Sequence, residues 1–200
     1  MRILITGTSS GIGQELSNRL QHHDVVAPTR QQLDLSDIVS VTAYDPGVCD
    51  ILINCAGTDC GGKIDFINHQ TQQVVDILNV NLVAPVILSK HVLAHNAQCK
   101  IVNITSTNNN RYYANNLSYS LSKKALSEFG TMLKVDYPDV DYLEIRLGLT
   151  KTNFNQNRYR NDPDRFVDIY QNTHLTVTQA VDVMVPAMFD SNIKFIEVAL

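Results

Sequence analysis

The sequence predicts an α/β chain built on a doubly wound parallel sheet. Three observations carry that expectation. Short apolar runs, among them Ile3-Leu4-Ile5, Ile51-Leu52-Ile53 and Ile101-Val102, recur between longer stretches of helical period. These runs are apolar throughout rather than alternating, as strands covered on both faces are. The 200 residues suit one core, so a single domain over 1–200 is expected. Strands that alternate with helices are joined by crossovers, which makes them parallel.

Taken in order, Arg2 to Thr6 reads as a strand and Ile12 to His22 as a helix. Asp24 to Pro28 is a second strand, and Asp50 to Cys55 is a third, bounded by Gly57. A long helical pattern runs from Thr71 to His95. Lys100 to Thr105 is a strand, Leu117 to Val135 a helix and Asp141 to Leu147 a strand. Thr178 to Phe189 is helical, and Ile193 to Ala199 closes as a strand. Between Arg30 and Asp37 there is room only for a short strand, Gln32 to Leu35, with no helix before it. Asn153 to His174 is polar and irregular and carries Arg158, Arg160 and Arg165. It reads either as a substrate lid over 150–175 or as a solvated loop.

Composition narrows the classes. Hydrophobic residues make up 44% and charged residues 18%, as in ordinary globular proteins. The net charge of −4 argues against a nucleic-acid partner. No run of about 18 apolar residues stands out, so no membrane span is expected. Met1 to Gly7 is too short and too soon broken by glycine to be a signal peptide, which makes the cytoplasm the expected location. Cys49, Cys55, Cys60 and Cys99 form no CxxC pair and no zinc spacing; reduced, structural thiols are expected. His91 and His95 read either as a metal pair or, lacking a motif such as HExxH, as a surface or groove pair. No metal site is expected.

Two constellations carry chemistry. Thr6-Gly7-Thr8-Ser9-Ser10-Gly11-Ile12-Gly13 lies between the first strand and the first helix. Glycines allow close approach there, and the helix that follows offers free N–H groups and a positive dipole end. A pyrophosphate suits such a turn, with Ser9 and Ser10 as further donors. The spacing is GxxxGxG, without the lysine of GxxxxGK[ST]. The second constellation is Tyr119-Ser120-Leu121-Ser122-Lys123, which sets a phenol and an ammonium on one helix face. A nearby cation favours the phenolate, so the pair suits proton transfer near neutral pH. Ser106 ends the strand before it, where a parallel sheet places its ligands.

These motifs, in this order, resemble those of the short-chain dehydrogenase/reductase family. The similarity spans nearly the whole chain. TGxxxGxG is Thr6 to Gly13, and the NNAG-type segment is Asn54-Cys55-Ala56-Gly57, with Cys in its second place. The helix asparagine is Asn81, the serine Ser106, and YxxxK is Tyr119 and Lys123. The PGxxxT segment is Leu147 to Thr152, with Leu for Pro.

The resemblance implies a Rossmann fold and an NAD(P)(H)-dependent oxidoreductase that interconverts a carbonyl and an alcohol. It implies catalytic roles for Asn81, Ser106, Tyr119 and Lys123. Tyr119 would move the proton, Lys123 would assist it and hold the ribose, and Ser106 would bond the reacting oxygen. Asn81 would help to hold a water. Cofactor contacts are implied for Gly7, Ser9, Ser10, Gly11, Ile12, Gly13, Ala56, Gly57, Asn54, Tyr119, Lys123, Leu149 and Thr152. Asp34-Leu35 matches the pair that borders the adenine.

Pro85, four residues after Asn81, lacks the N–H that a helix would aim at the Asn81 carbonyl; it frees that oxygen for a water or merely kinks the helix. After the second strand stands Arg30, where an acidic residue would bond a ribose 2′-OH; a guanidinium suits a 2′-phosphate. NADP(H) is therefore expected, with NAD(H) as the alternative. Thr107 to Tyr113 (TNNNRYY) and the lid arginines suggest a small polar substrate, a sugar derivative or an anionic carbonyl compound. Relatives pair through the helices carrying Asn81 and Tyr119, so a homodimer or homotetramer is expected. Val83, Val86, Ile87, Leu126, Phe129 and Leu133 are there either for that contact or for the sheet. The competing functions are a cofactor-binding regulator without turnover, and a sugar epimerase or dehydratase. The intact Asn–Ser–Tyr–Lys set argues against the first, and the glycine spacing against the second.

Overall fold

A computed structural model describes residues 1–200 apart from 61, 63, 112, 160–162, 172 and 173, and describes only the backbone at 163, 165 and 166. Tyr112, Arg160 and the side chain of Arg165 lie outside the described residues. Among those described, β1 (Arg2–Ile5), β2 (Asp24–Val26), β3 (Ile51–Asn54), β4 (Lys100–Ser106), β5 (Tyr142–Leu147) and β6 (Phe195–Val198) form one sheet. The order is β2-β1-β3-β4-β5-β6, and every neighbouring pair is parallel. β1 lies between strands reached in opposite directions, so the sheet has its switch point between β1 and β3. Ligands bind beyond the strand ends at such a point.

Alternate residues of each apolar run feed two separate cores. On one face Ile3, Ile5, Ile51, Ile53 and Val102 pack with Leu16 of α1 (Gly11–Arg19). Met184 of α8 (Val177–Phe189) joins the same layer. On the other face Leu4, Leu52 and Ile101 meet Val41 of α2 (Ile38–Ala43). Leu88 and Val92 of α4 (Ala84–His95) and Leu133 of α5 (Leu117–Asp136) complete that layer. Coverage on both faces is why these strands carry no polar alternation.

Several expectations are corrected. Residues 32–35 form no strand. Local bonds take up the backbone instead: Asp34 accepts the Ser36 N–H at 2.9 Å and its hydroxyl at 2.6 Å, and Gln32 Oε1 accepts from Thr29 N at 2.9 Å. Such short-range side-chain bonds compete with a sheet ladder. As expected, no helix precedes this stretch, and α2 begins after it, with Asp37 accepting the Val39 N–H at 2.9 Å. The helical run from 71 to 95 is not one regular helix. It is α3 (Thr71–Leu78), a π-helical turn (Asn79–Val83) and α4. Its length and its mean hydropathy of 1.6 over 18 residues would also suit a membrane span, contrary to the sequence expectation. Here Ala84, Leu88 and Val92 of this run are buried in the second core. Leu126 and Leu133 are buried as well, which removes them from any subunit contact. Residues 153–174 are not wholly irregular: they include α6 (Asn153–Arg158) and α7 (Pro163–Asp168). The His91/His95 metal reading also falls. His91 Nδ1 meets the Tyr44 carbonyl at 3.2 Å and His95 Nε2 meets Asp45 at 3.0 Å.

The close fit of α5 on the sheet depends on Gly130. A Cβ there would overlap the Tyr142 ring of β5, whose hydroxyl accepts a bond from Asn103 Nδ2 at 3.3 Å. Gly130→Ala is therefore expected to destabilise the fold by about 1–3 kcal/mol despite the better helix propensity of alanine. Urea denaturation reads the difference, and an unchanged midpoint would contradict this packing.

Candidate active site

The glycine turn is built by close backbone approach. Gly7 has φ +78°, and a Cβ on it would come within 2.7 Å of the Ala56 Cα. A Cβ on Gly13 would run into the Gly7 carbonyl oxygen. Thr6 Oγ1 fixes the facing loop by accepting the N–H groups of Cys55 and Ala56, each at 3.2 Å. The Ser10 side chain makes no capping bond, so the first-turn N–H groups of α1 keep their donor capacity for an anion.

From this turn a crevice of about 600 Å³ runs across the sheet end to Ser106, Tyr119 and Lys123. Gly7, Ser9, Ser10, Gly11, Ile12 and Gly13 line one end of it. Ala56, Gly57, Leu149 and Thr152 line its walls. Ser106 ends β4 and starts a 3-10 turn (Thr107–Asn109), and its Oγ accepts from Asn108 N at 3.2 Å. Tyr119 and Lys123 lie one turn apart on α5, only 9% and 4% exposed.

Lys123 is strongly perturbed by its surroundings. Its Nζ donates to the Ile104 carbonyl at 2.8 Å, and burial lowers its pKa to about 8. Cys55 lies beside it, with its thiol pushed up to about 12 by the same burial. Gly57 adjoins the cation: a Cβ there would make ordinary contacts, 3.5 Å from Asn81 Oδ1 and 3.6 Å from Lys123 Nζ.

Asn81 is fully buried in the π turn. Its Oδ1 accepts from Thr58 N at 2.8 Å, and its Nδ2 donates to Thr58 O at 2.8 Å and Ser122 Oγ at 3.0 Å. The side chain thus ties the loop after β3 to α5. The π turn appears where Pro85 denies the Asn81 carbonyl its helical donor, with Ala84 N bonding back to Asn79 O. Such turns are common at functional sites.

Four predicted cofactor residues lie outside the crevice lining. Arg30 is exposed on the β2 side, with Nε 3.1 Å from Asp34 and Nη2 3.3 Å from Ser36 Oγ. Asp34 is held below the usual carboxylate range, chiefly by its bond from Ser36. Leu35 packs against the second core. Asn54 Nδ2 donates to Asn103 Oδ1 at 2.8 Å across the β3–β4 pair, and its own Oδ1 is buried without a partner.

Sequence reading gave no role to Glu144, Asp59 or Thr58. The buried Glu144 carboxylate accepts from Thr105 Oγ1 at 2.6 Å, from Ser127 Oγ at 2.9 Å and from Asn109 Nδ2 at 3.4 Å. It thereby joins the residue before Ser106 to the turn after it and to α5, one turn beyond Lys123. Asp59 pairs with Arg158 of α6, whose guanidinium carbon lies 4.6 Å from the Tyr119 ring centre. An acid at 144 between Leu143 and Ile145 was a visible signal; the Asp59–Arg158 pair, 99 residues apart, had none.

The model of the family described as short chain dehydrogenase matches residues 23–163. This chain belongs to that family. As a short-chain dehydrogenase it is an NAD(P)-dependent oxidoreductase. It is 25% identical to the NADP-dependent 3-hydroxy acid dehydrogenase of Schizosaccharomyces pombe, over 93% of this chain and 86% of that protein. It is 29% identical to L-xylulose reductase of Mesocricetus auratus, over 68% of this chain and 65% of that protein. The fold matches a closed serine dehydrogenase complexed with NADP+ at a TM-score of 0.88 and 23% identity, covering 100% of this chain and 95% of that one.

The buried ammonium gives this short-chain dehydrogenase a testable signature. Its folded pKa, near 8, lies below the ordinary 10.5, so between those values the unfolded chain holds the extra proton. Stability contributed at Lys123 therefore rises with pH across that window. Lys123→Met is expected to equal or exceed the parent in stability at pH 7, and to lose ground to it by pH 10. Denaturant melts at the two pH values read this, and a pH-independent difference would contradict the buried cation.

Proposed function

We propose that the protein is a cytoplasmic, NADP(H)-dependent enzyme that interconverts a small polar carbonyl compound and its alcohol. The single observation that carries this reading is the convergence of Ser106, Tyr119 and Lys123 on the crevice that begins at the glycine turn. The names of the two curated relatives, a 3-hydroxy acid dehydrogenase and a xylulose reductase, support a small hydroxylated substrate.

The glycine turn fits a pyrophosphate, because Gly7 and Gly13 bring the backbone close and the α1 donors face the crevice. Ala56 and Gly57, with Leu149 and Thr152, would hold the nicotinamide half. Asp34 and Leu35 would border the adenine. Arg30 would pair a 2′-phosphate through the part of its guanidinium that Asp34 does not occupy, which favours NADP(H) over NAD(H). When bound, the nicotinamide supplies or accepts the hydride. Tyr119 gives its proton to the substrate oxygen in reduction and takes it back in oxidation. Lys123 places an ammonium one helical turn from that phenol, and the Ser106 hydroxyl donates to the same substrate oxygen. Asn81 acts by position: its side chain locks the Thr58 loop, and its carbonyl, freed by Pro85, is available to a water that serves Lys123. Of the 150–175 segment, the described residues Phe154, Arg158 and Tyr159 line the crevice and support its reading as a lid. The outer face of α5, with exposed Leu117, Leu121, Met132 and Val135, is the contact for a homodimer or homotetramer.

The decay of NADPH absorbance against a panel of aldehydes, ketones and keto-sugars tests this reading. Turnover is expected to fall about 1,000-fold in Tyr119→Phe, with NADPH still bound. Gly13→Val is expected to abolish NADPH binding, and Arg30→Ala to weaken NADPH about tenfold while leaving NADH unchanged. A Tyr119→Phe enzyme of full activity would end the proposed mechanism.

A further inference from the structure

One wall of the crevice carries polar atoms that the protein does not use. Arg158 ends α6 with its guanidinium carbon 4.6 Å from the Tyr119 ring centre and 4.7 Å from that of Phe154. Its side chain is only 10% exposed. Nε donates to Asp59, which fixes one edge of the fork. Nη2 is buried and has no acceptor, and the His174 ring nitrogen Nδ1 is also buried without a hydrogen-bond partner. Both residues line the crevice together with Ser106 and Tyr119.

A buried donor without an acceptor costs stability and calls for an explanation. Among the described residues that line the crevice there is no Asp or Glu, whereas Arg111, Lys123 and Arg158 are cationic. The Nη edge of an arginine matches a carboxylate in two parallel bonds. Asp59 offsets the charge from the Nε side, and the Nη edge keeps a donor that a carboxylate accepts more strongly than a neutral hydroxyl does. The short distance from guanidinium to phenol also limits size. A molecule that reaches both has its anionic group only a few bonds from its reacting oxygen.

We propose that Arg158, assisted by His174, binds a carboxylate carried by the substrate, so that this enzyme acts on small hydroxy acids and the matching oxo acids. The proposal rests on the reductase reading above and goes beyond it by choosing the acid over the neutral sugar. Asp59 is then a positioning residue that holds Arg158 over Tyr119 while the other edge stays open.

The test compares 3-hydroxybutyrate with its methyl ester, using NADP+ and following NADPH formation, in the parent, Arg158→Met and Arg158→Lys. A ratio of kcat/KM values is read, because damage to the lid or to Tyr119 affects both substrates alike. The parent is expected to favour the acid about 100-fold, Arg158→Met to lose about that factor, and Arg158→Lys to recover part of it. Calorimetry of malonate binding to the NADP+-loaded proteins gives a readout independent of turnover. Malonate binding that Arg158→Met removes supports the anion site even where no alcohol or carbonyl is turned over, an outcome that would overturn only the reductase reading. Equal rates for acid and ester in the parent, a ratio unchanged in Arg158→Met, or malonate binding that does not depend on Arg158 would overturn the carboxylate site. Continued turnover of the ester or of keto-sugars would then leave the reductase reading standing.

Discussion

The site is organised around one ammonium group taken out of water. Lys123 Nζ is anchored on the Ile104 carbonyl, and its burial is what makes its charge effective at short range. A solvated lysine at the same helical spacing would have a screened field and a mobile head group. Several features answer to that burial. Gly57 packs beside it, Asn81 ties the adjoining loop to α5, and Glu144 holds β4 and α5 in register around it. The cost is a charge desolvated within the fold, tolerated because the surrounding sheet and helices are fully packed.

The sheet supplies the geometry. Its order reverses between β1 and β3, so the helices after those strands leave toward opposite faces and a crevice opens at the strand ends. The glycine turn closes one end of the cleft, and the 3-10 turn after Ser106 and the start of α5 close the other. Neither half makes a site alone. A phosphate cradle without a nearby acid or base would only hold a nucleotide, and a Tyr–Lys pair away from the cradle would be a surface feature. Their joint presence in one crevice links fold to chemistry. The π turn that carries Asn81 and the unpartnered nitrogens of Arg158 and His174 adjoin this region.

Much of this was legible in the sequence. Apolar runs gave the strands, and the helices on both faces explain why those runs lack alternation. Thr6 to Gly13, Ser106, Tyr119 and Lys123 were readable because each depends on local residue type and spacing. What was hidden depends on contacts distant in sequence or on competition between local bonds. The Gln32–Leu35 strand lost to the turn that Asp34 and Ser36 make. Pro85 showed where the long helix would falter but not that a π turn would form. Asn54 matches a cofactor motif, yet its Nδ2 bonds Asn103 across the sheet while its Oδ1 has no partner. Leu126 and Leu133 could serve a partner or the core equally well by pattern, and only packing decides for the core. Arg158 was one of three lid arginines, and its place over Tyr119 needed Asp59 from a loop far upstream.

The central claim concerns the state of a single nitrogen. A pH titration of the protein followed by 15N NMR of lysine side-chain nitrogens, with Lys123→Arg to assign the signal, measures it directly. The account requires Lys123 to titrate near pH 8, well apart from the surface lysines. A midpoint near 10.5, among the solvated lysines, would show that the group is not buried and would remove the electrostatic basis of the site.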